Sequence, residues 1–316
     1  MTADRAADPI ATARPDDLRS GLHGPFRLAV WMTGLVVFVI LMGAMTTSTG
    51  SGLAFADWPL SDGGLMPERS YTTLPGFFEH FHRLPAGVAV AMAIWLAVWL
   101  RRVPQASVAL RRSAMAGAVL IVAQAVIGGV GVLKGLPVLS SATHGTLAQV
   151  TLALFAVNAY ALSSRCAATP RLAHPSAGAA RTMAVVATAM LILQTVVGAI
   201  ARHSGSPHAL WTHVANALVV FLIVLVASGI AQGKLGAIPG VPQLARVLLG
   251  LLVVQIVLGF VALLVRTGKH PENVEQLWRA ALISTHVLIG ALLTVTQSLL
   301  TAHVFRGTAP AGGGGA

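Results

Sequence analysis

Glu79-His80-Phe81-His82-Arg83 opens the second of eight apolar runs, and its reading decides how the rest of the chain is understood. Glu79 is the only one of the ten acidic residues at the head of a membrane-length run. His82 lies three positions on, so the two side chains share one helical face. Ionisable groups at the edge of a bilayer are costly and mark a functional site by default. Three later runs carry a histidine at the matching end: His144, His213 and His286.

The membrane reading comes from composition. The chain has 316 residues, of which 55% are hydrophobic and 10% charged, and its mean hydropathy is +0.77. These values exclude an ordinary soluble domain. A helix needs about 20 apolar residues to cross about 30 Å of hydrocarbon. Eight runs qualify: 28–48, 79–100, 114–134, 143–163, 182–200, 211–232, 244–265 and 281–303. The expected fold is an all-α integral membrane protein. The net charge of +11 does not point to nucleic acid, because the basic residues sit between the runs. Fourteen fall on one side and seven on the other, which predicts a multi-pass protein of the cell (inner) membrane with both termini cytoplasmic.

Residues 1–27 are polar and read as a disordered cytoplasmic tail, as do 304–316. Residues 28–163 and 182–303 read as two four-helix bundles joined by a cytoplasmic linker, 164–181, that contains Pro170 and Pro175. The single cysteine, Cys166, can build neither an internal disulfide nor a thiolate metal site alone. The loop 53–78 is the longest between runs, and its Trp58 reads as an interfacial anchor. The segment 267–280, with Glu272, Glu275 and Trp278, reads as an amphipathic surface helix.

An internal repeat relates the halves. A shift of 155 places Gly198-Ala199 on Gly43-Ala44, and a shift of 131 places Gln255 and Gly259 on Gln124 and Gly128. Four runs per half insert both halves in the same orientation, giving two pseudo-symmetric bundles. His82 with His144, and His213 with His286, then form two pairs on facing helices. Paired neutral imidazoles across a gap are what axial haem ligation needs. Arg83, Lys134, Arg202 and Arg266 stand near the ends where haem propionates need cations, or else simply snorkel. The glycines let the backbone approach a macrocycle or a neighbouring helix. Zinc fits poorly, since it wants about four ligands around one point. His80 reads as a loop or interface residue. His203 and His208 are back-up ligands for His213, while His23, His174, His270 and His303 read as solvated or interfacial. The second half has no counterpart of Glu79, so the first half is the better candidate for chemistry involving protons.

Glu79-x-x-His82-Arg83, the stretch Thr49-Gly50-Ser51-Gly52-Leu53 with Asp57-Trp58-Pro59, and the three Gln-x-x-x-Gly runs resemble the haem A synthase family over 28–303. The resemblance implies an oxidoreductase that converts the C8 methyl of haem O to the formyl group of haem A, for terminal oxidases. It implies two hydroxylations followed by loss of water. It implies that His82 and His144 bracket the substrate haem, with Glu79 and Arg83 at the catalytic site, and that His213 and His286 bind a haem b, all four serving as ligands to haem iron. The implied partners are a haem O synthase (farnesyltransferase), an electron donor and membrane lipid; a homo-oligomer is compatible. Many members carry a cysteine pair in an outer loop, which this chain lacks. The competing reading is a di-haem cytochrome b-like electron-transfer subunit, which gives Glu79 no task. A proton-coupled transporter is disfavoured, because no ionisable residue lies at mid-depth in any run.

Overall fold

The computed structural model describes residues 17–267 and 277–310. Among them are eight helices long and apolar enough to cross a membrane. These are α1 (Asp17–Ser48), α3 (Leu74–Arg102), α4 (Val108–Leu133), α5 (Val138–Leu162), α7 (Ala177–Ser204), α8 (Pro207–Lys234), α9 (Val241–Thr267) and α10 (Leu277–Gly307). Two short helices, α2 (Arg69–Thr72) and α6 (Ser164–Ala168), lie in connections, and β1 (Leu172–His174) pairs in parallel with β2 (Thr308–Pro310). The chain is thus an all-α integral membrane protein. The end of the bundle that carries loop 49–73 is called the outer end below.

Each long helix begins before its expected apolar run because helix and hydrocarbon end in different places. Hydropathy registers only the buried stretch, whereas caps set the true ends. Thr73 begins α3 by accepting the Gly76 N–H, with Pro75 in the first turn. Ser107 and Ser206 cap α4 and α8 in the same way. Gly205, at φ +66°, ends α7 in the left-handed conformation and lets α8 begin two residues later. As a result, α1 takes in residues 17–27 of the expected tail. The linker 164–181 contains α6 and β1, and the expected C-terminal tail pairs through β2. Residues 268–276, including Glu272 and Glu275 of the expected surface helix, lie outside the described residues.

Helices α1, α3, α4 and α5 pack in a ring (α1 on α3, α3 on α4, α4 on α5, α5 on α1). Helices α7, α8, α9 and α10 do the same, and α5 and α10 meet across the seam, with α5 on α7 and α1 on α10. Small residues permit the close approach: Ala29, Ala89, Ala93 and Ala97 are buried with Met32, Leu96 and Phe155 in one core. Ala187, Ala245, Val224 and Leu248 centre the other. Leu139, Leu218, Val253 and Phe260 are exposed, as lipid-facing positions should be.

Candidate functional site

The four histidines sit six to nine residues inside the first residue of α3, α5, α8 and α10, which at 1.5 Å rise is about 9–14 Å from the outer helix ends. They meet in two pairs. The rings of His82 and His144 face each other with centroids 6.0 Å apart and planes at 88°. Those of His213 and His286 are 6.4 Å apart, also at 88°. Two nitrogen–metal bonds of about 2.0–2.1 Å end to end, plus about 1.1 Å from nitrogen to centroid on each side, require roughly 6.3 Å. Both centroid separations match the spacing that a metal held between two imidazoles would need. Among the described residues no three His, Cys, Asp or Glu side chains cluster as a metal site.

Each imidazole lies against a glycine on the preceding helix. A Cβ at Gly43 would stand 2.7 Å from His82 Cε1; at Gly128, 2.8 Å from His144 Cε1. At Gly198 it would stand 2.8 Å from His213 Cε1, and at Gly259 3.0 Å from His286 Cε1. In the first pair the carbonyl one turn before the glycine holds the ring. His82 Nδ1 lies 3.0 Å from Val39 O, and His144 Nδ1 3.0 Å from Gln124 O. A carbonyl only accepts, so Nδ1 carries the proton and Nε2 keeps its lone pair for a metal. Gln124 Nε2 also donates to His144 O at 2.7 Å. In the second pair the contacts run the other way, because a glutamine amide nitrogen donates to the ring rather than accepting from it. Gln194 Nε2 lies 3.1 Å from His213 Nδ1 and donates to His213 O, while its Oε1 accepts from Asn216. Gln255 Nε2 lies 3.4 Å from His286 Nε2.

Glu79 and Arg83 face the loop. Glu79 is 2% exposed; one oxygen accepts the Phe55 N–H at 2.9 Å and the other pairs with Arg83 at 2.5 Å. Arg83 also donates to Asp57 O, Leu60 O and Phe55 O. Its hydrogen-bond partners among the described residues are loop backbone and Glu79, so it clamps the loop. Phe55 is fully buried beneath the guanidinium groups of Arg69 and Arg83. The Asp57 carboxylate accepts the Asp62 and Gly63 N–H groups, and the Gly63 bond chiefly holds its pKa below the usual range. The clamped loop lays Trp58 on Gly129, where any Cβ would overlap the indole, next to the glycine that cradles His144. Trp58 is therefore packed on α4 rather than only anchored at the interface.

Several of these residues escape a sequence reading. His80 is buried at 3% exposure with neither ring nitrogen hydrogen-bonded, beside a cavity of about 150 Å³ under the loop. His303 is fully buried, with Nδ1 2.5 Å from the Tyr160 hydroxyl and Nε2 2.8 Å from Pro239 O. Neither is interfacial; each lies on a helix face that packing covers. His208 is exposed on α8, and His213 takes His286 as its partner.

The profile of the COX15-CtaA family, described as cytochrome oxidase assembly protein, matches residues 26–212. The chain is similar to proteins named heme A synthase. It is 31% identical over 145 residues to that of Dinoroseobacter shibae, covering 43% of this chain and 37% of the relative. It is 31% identical over 179 residues to that of Symbiobacterium thermophilum, covering 55% and 58% respectively. It is 33% identical over 141 residues to that of Brucella ovis, covering 42% and 38%. The chain thus spans less than two thirds of the length of each of these relatives. The family match includes Glu79, His82, Arg83 and His144 and stops just short of His213.

Proposed function

The chain belongs to the COX15-CtaA family of cytochrome oxidase assembly proteins, and from that premise we propose that it is a haem A synthase, oxidising the C8 methyl of haem O to the formyl of haem A. The observation that carries this reading is the two facing imidazole pairs, at 6.0 and 6.4 Å. In it, His82 and His144 hold the substrate haem, and His213 and His286 hold a haem b. Bound haem iron would supply the redox chemistry.

The chain's own residues orient and enclose. Val39 O and Gln124 O present Nε2 of the first pair, and the glycines set each ring's depth. Glu79 and Arg83 pin the loop that carries Trp58 over the first pair's outer end, limiting water there. Glu79, one turn outward of His82, is also the carboxylate best placed to exchange a proton with that site. The protein works in the cell membrane with both termini cytoplasmic, taking haem O from a haem O synthase and electrons from a separate donor.

The test is expression beside a haem O source in a host that lacks haem A, followed by extraction and chromatography of the haems. Haem A or its hydroxylated precursor is expected. A folded protein with two low-spin haems and no altered haem would instead make it a di-haem electron carrier. His213→Ala is expected to lose the b-type haem; full b-type haem in that variant would remove the ligand assignment.

A further inference from the structure

Two arginines at the outer end of the second half have neutral partners only. Arg202 Nη2 donates to Ala44 O at 2.8 Å and to Ser48 Oγ at 2.7 Å, both on α1 across the seam. Arg202 Nη1 is shielded from solvent and has no partner. Arg266 on α9 donates to Ala201 O at 3.0 Å, the carbonyl immediately before Arg202. Among the described residues the ion pairs are Asp62–Arg69 and Glu79–Arg83, so neither arginine pairs with a described carboxylate. The Arg202 guanidinium is partly buried, with its Nη1 shielded, and the exposed Arg266 stands beside it; a shielded charge is costly until an anion compensates it.

Their register says which anion. Arg202 lies four residues beyond Gly198, and Arg266 seven beyond Gly259. Positions four and seven apart share a helix face. Both arginines therefore stand on the faces that cradle His213 and His286, one and two turns further out. The same offsets in the first half fall on Thr47 and Gly135, so the cationic pair belongs to the second slot alone. From its other side, Arg202 is tied to both sites. Ser48 Oγ lies 3.0 Å from Ser284 Oγ, two residues before His286, and Ala44 follows Gly43, the cradle of His82.

We propose that Arg202, seconded by Arg266, is a carboxylate-binding site for a propionate of the haem held by His213 and His286. Its other edge stays on α1 beside the substrate pair. This rests on the haem reading of the second pair and adds to it a positioning residue that bridges the two halves. A guanidinium that neutralises a propionate raises the midpoint potential of its haem, because an uncompensated carboxylate favours ferric iron. It also keeps that carboxylate ionised, so the potential stays flat with pH around neutrality.

The full-length protein with bound haem tests this by potentiometric titration at several pH values, comparing parent, Arg202→Gln and Arg202→Lys. The expected result is a lower b-haem potential in Arg202→Gln that now varies with pH near neutrality, under an unchanged low-spin spectrum. Arg202→Lys is expected to recover most of the loss. A parental potential and pH profile in Arg202→Gln would make Arg202 a helix tie only and overturn the proposal, with the haem reading intact. A shift in Arg202→Lys as large as that in Arg202→Gln would mark a loss of packing rather than of charge and overturn it too. A parent without b-type haem would remove the haem reading, and this site with it.

Discussion

Gly198→Ala puts the arrangement of ring against glycine under the hardest test. The new methyl would stand 2.8 Å from His213 Cε1 and 3.0 Å from Nδ1. Ordinary carbon contacts lie at about 3.5–4.0 Å, so the ring must retreat by roughly 0.7 Å. Overpacking of this kind costs about 1–3 kcal/mol. Replacing glycine inside a helix returns about 0.5–1 kcal/mol. The net loss of about 1–2 kcal/mol lowers the folded-to-unfolded ratio by about 5–30-fold. Gly259→Ala meets one close atom, His286 Cε1 at 3.0 Å, with the next at 3.6 Å, and should cost less. Gly250→Ala, on the same helix, meets nothing within 4 Å and should be neutral or mildly stabilising. Haem content per chain, the low-spin absorption band and the melting temperature read the series. Parental haem content and melting in Gly198→Ala, or a loss in Gly250→Ala as large as in Gly198→Ala, would refute the cradle.

Four further outcomes are expected. Glu79→Ala leaves Arg83 and the Phe55 N–H without their carboxylate and should cost about 3–5 kcal/mol in thermal denaturation. Glu79→Gln should keep haem yet make little haem A, and a normal rate of haem A formation would end the proton role. His80→Phe removes two unpartnered buried nitrogens, worth about 1–3 kcal/mol each, so melting should rise with haem content unchanged; a fall in melting would mean that the imidazole has a bound partner. Tyr160→Phe strips the hydroxyl from His303 Nδ1 at a cost of about 1–3 kcal/mol, while haem conversion stays normal; a large loss of conversion would move that distant pair into the working site.

The sequence by itself determined the membrane, the eight helices and the four histidines, because bilayer thickness imposes a minimum apolar length and hydropathy reports it directly. It also marked, through the repeat, the glycines that prove to be cradles: Gly43 aligned with Gly198, and Gly128 with Gly259. What those glycines touch could not be read, since a small residue serves helix packing and ring seating equally well until the neighbouring helix is placed. Only tertiary structure set ring against ring at 6.0 and 6.4 Å, turned Glu79 and Arg83 toward the loop, buried His80 and His303, and carried Arg202 across the seam to α1. Those outcomes depend on rotation of each helix about its axis and on which helices become neighbours. Close packing fixes both, and a one-dimensional pattern of apolar residues covers too broad a stripe to specify either.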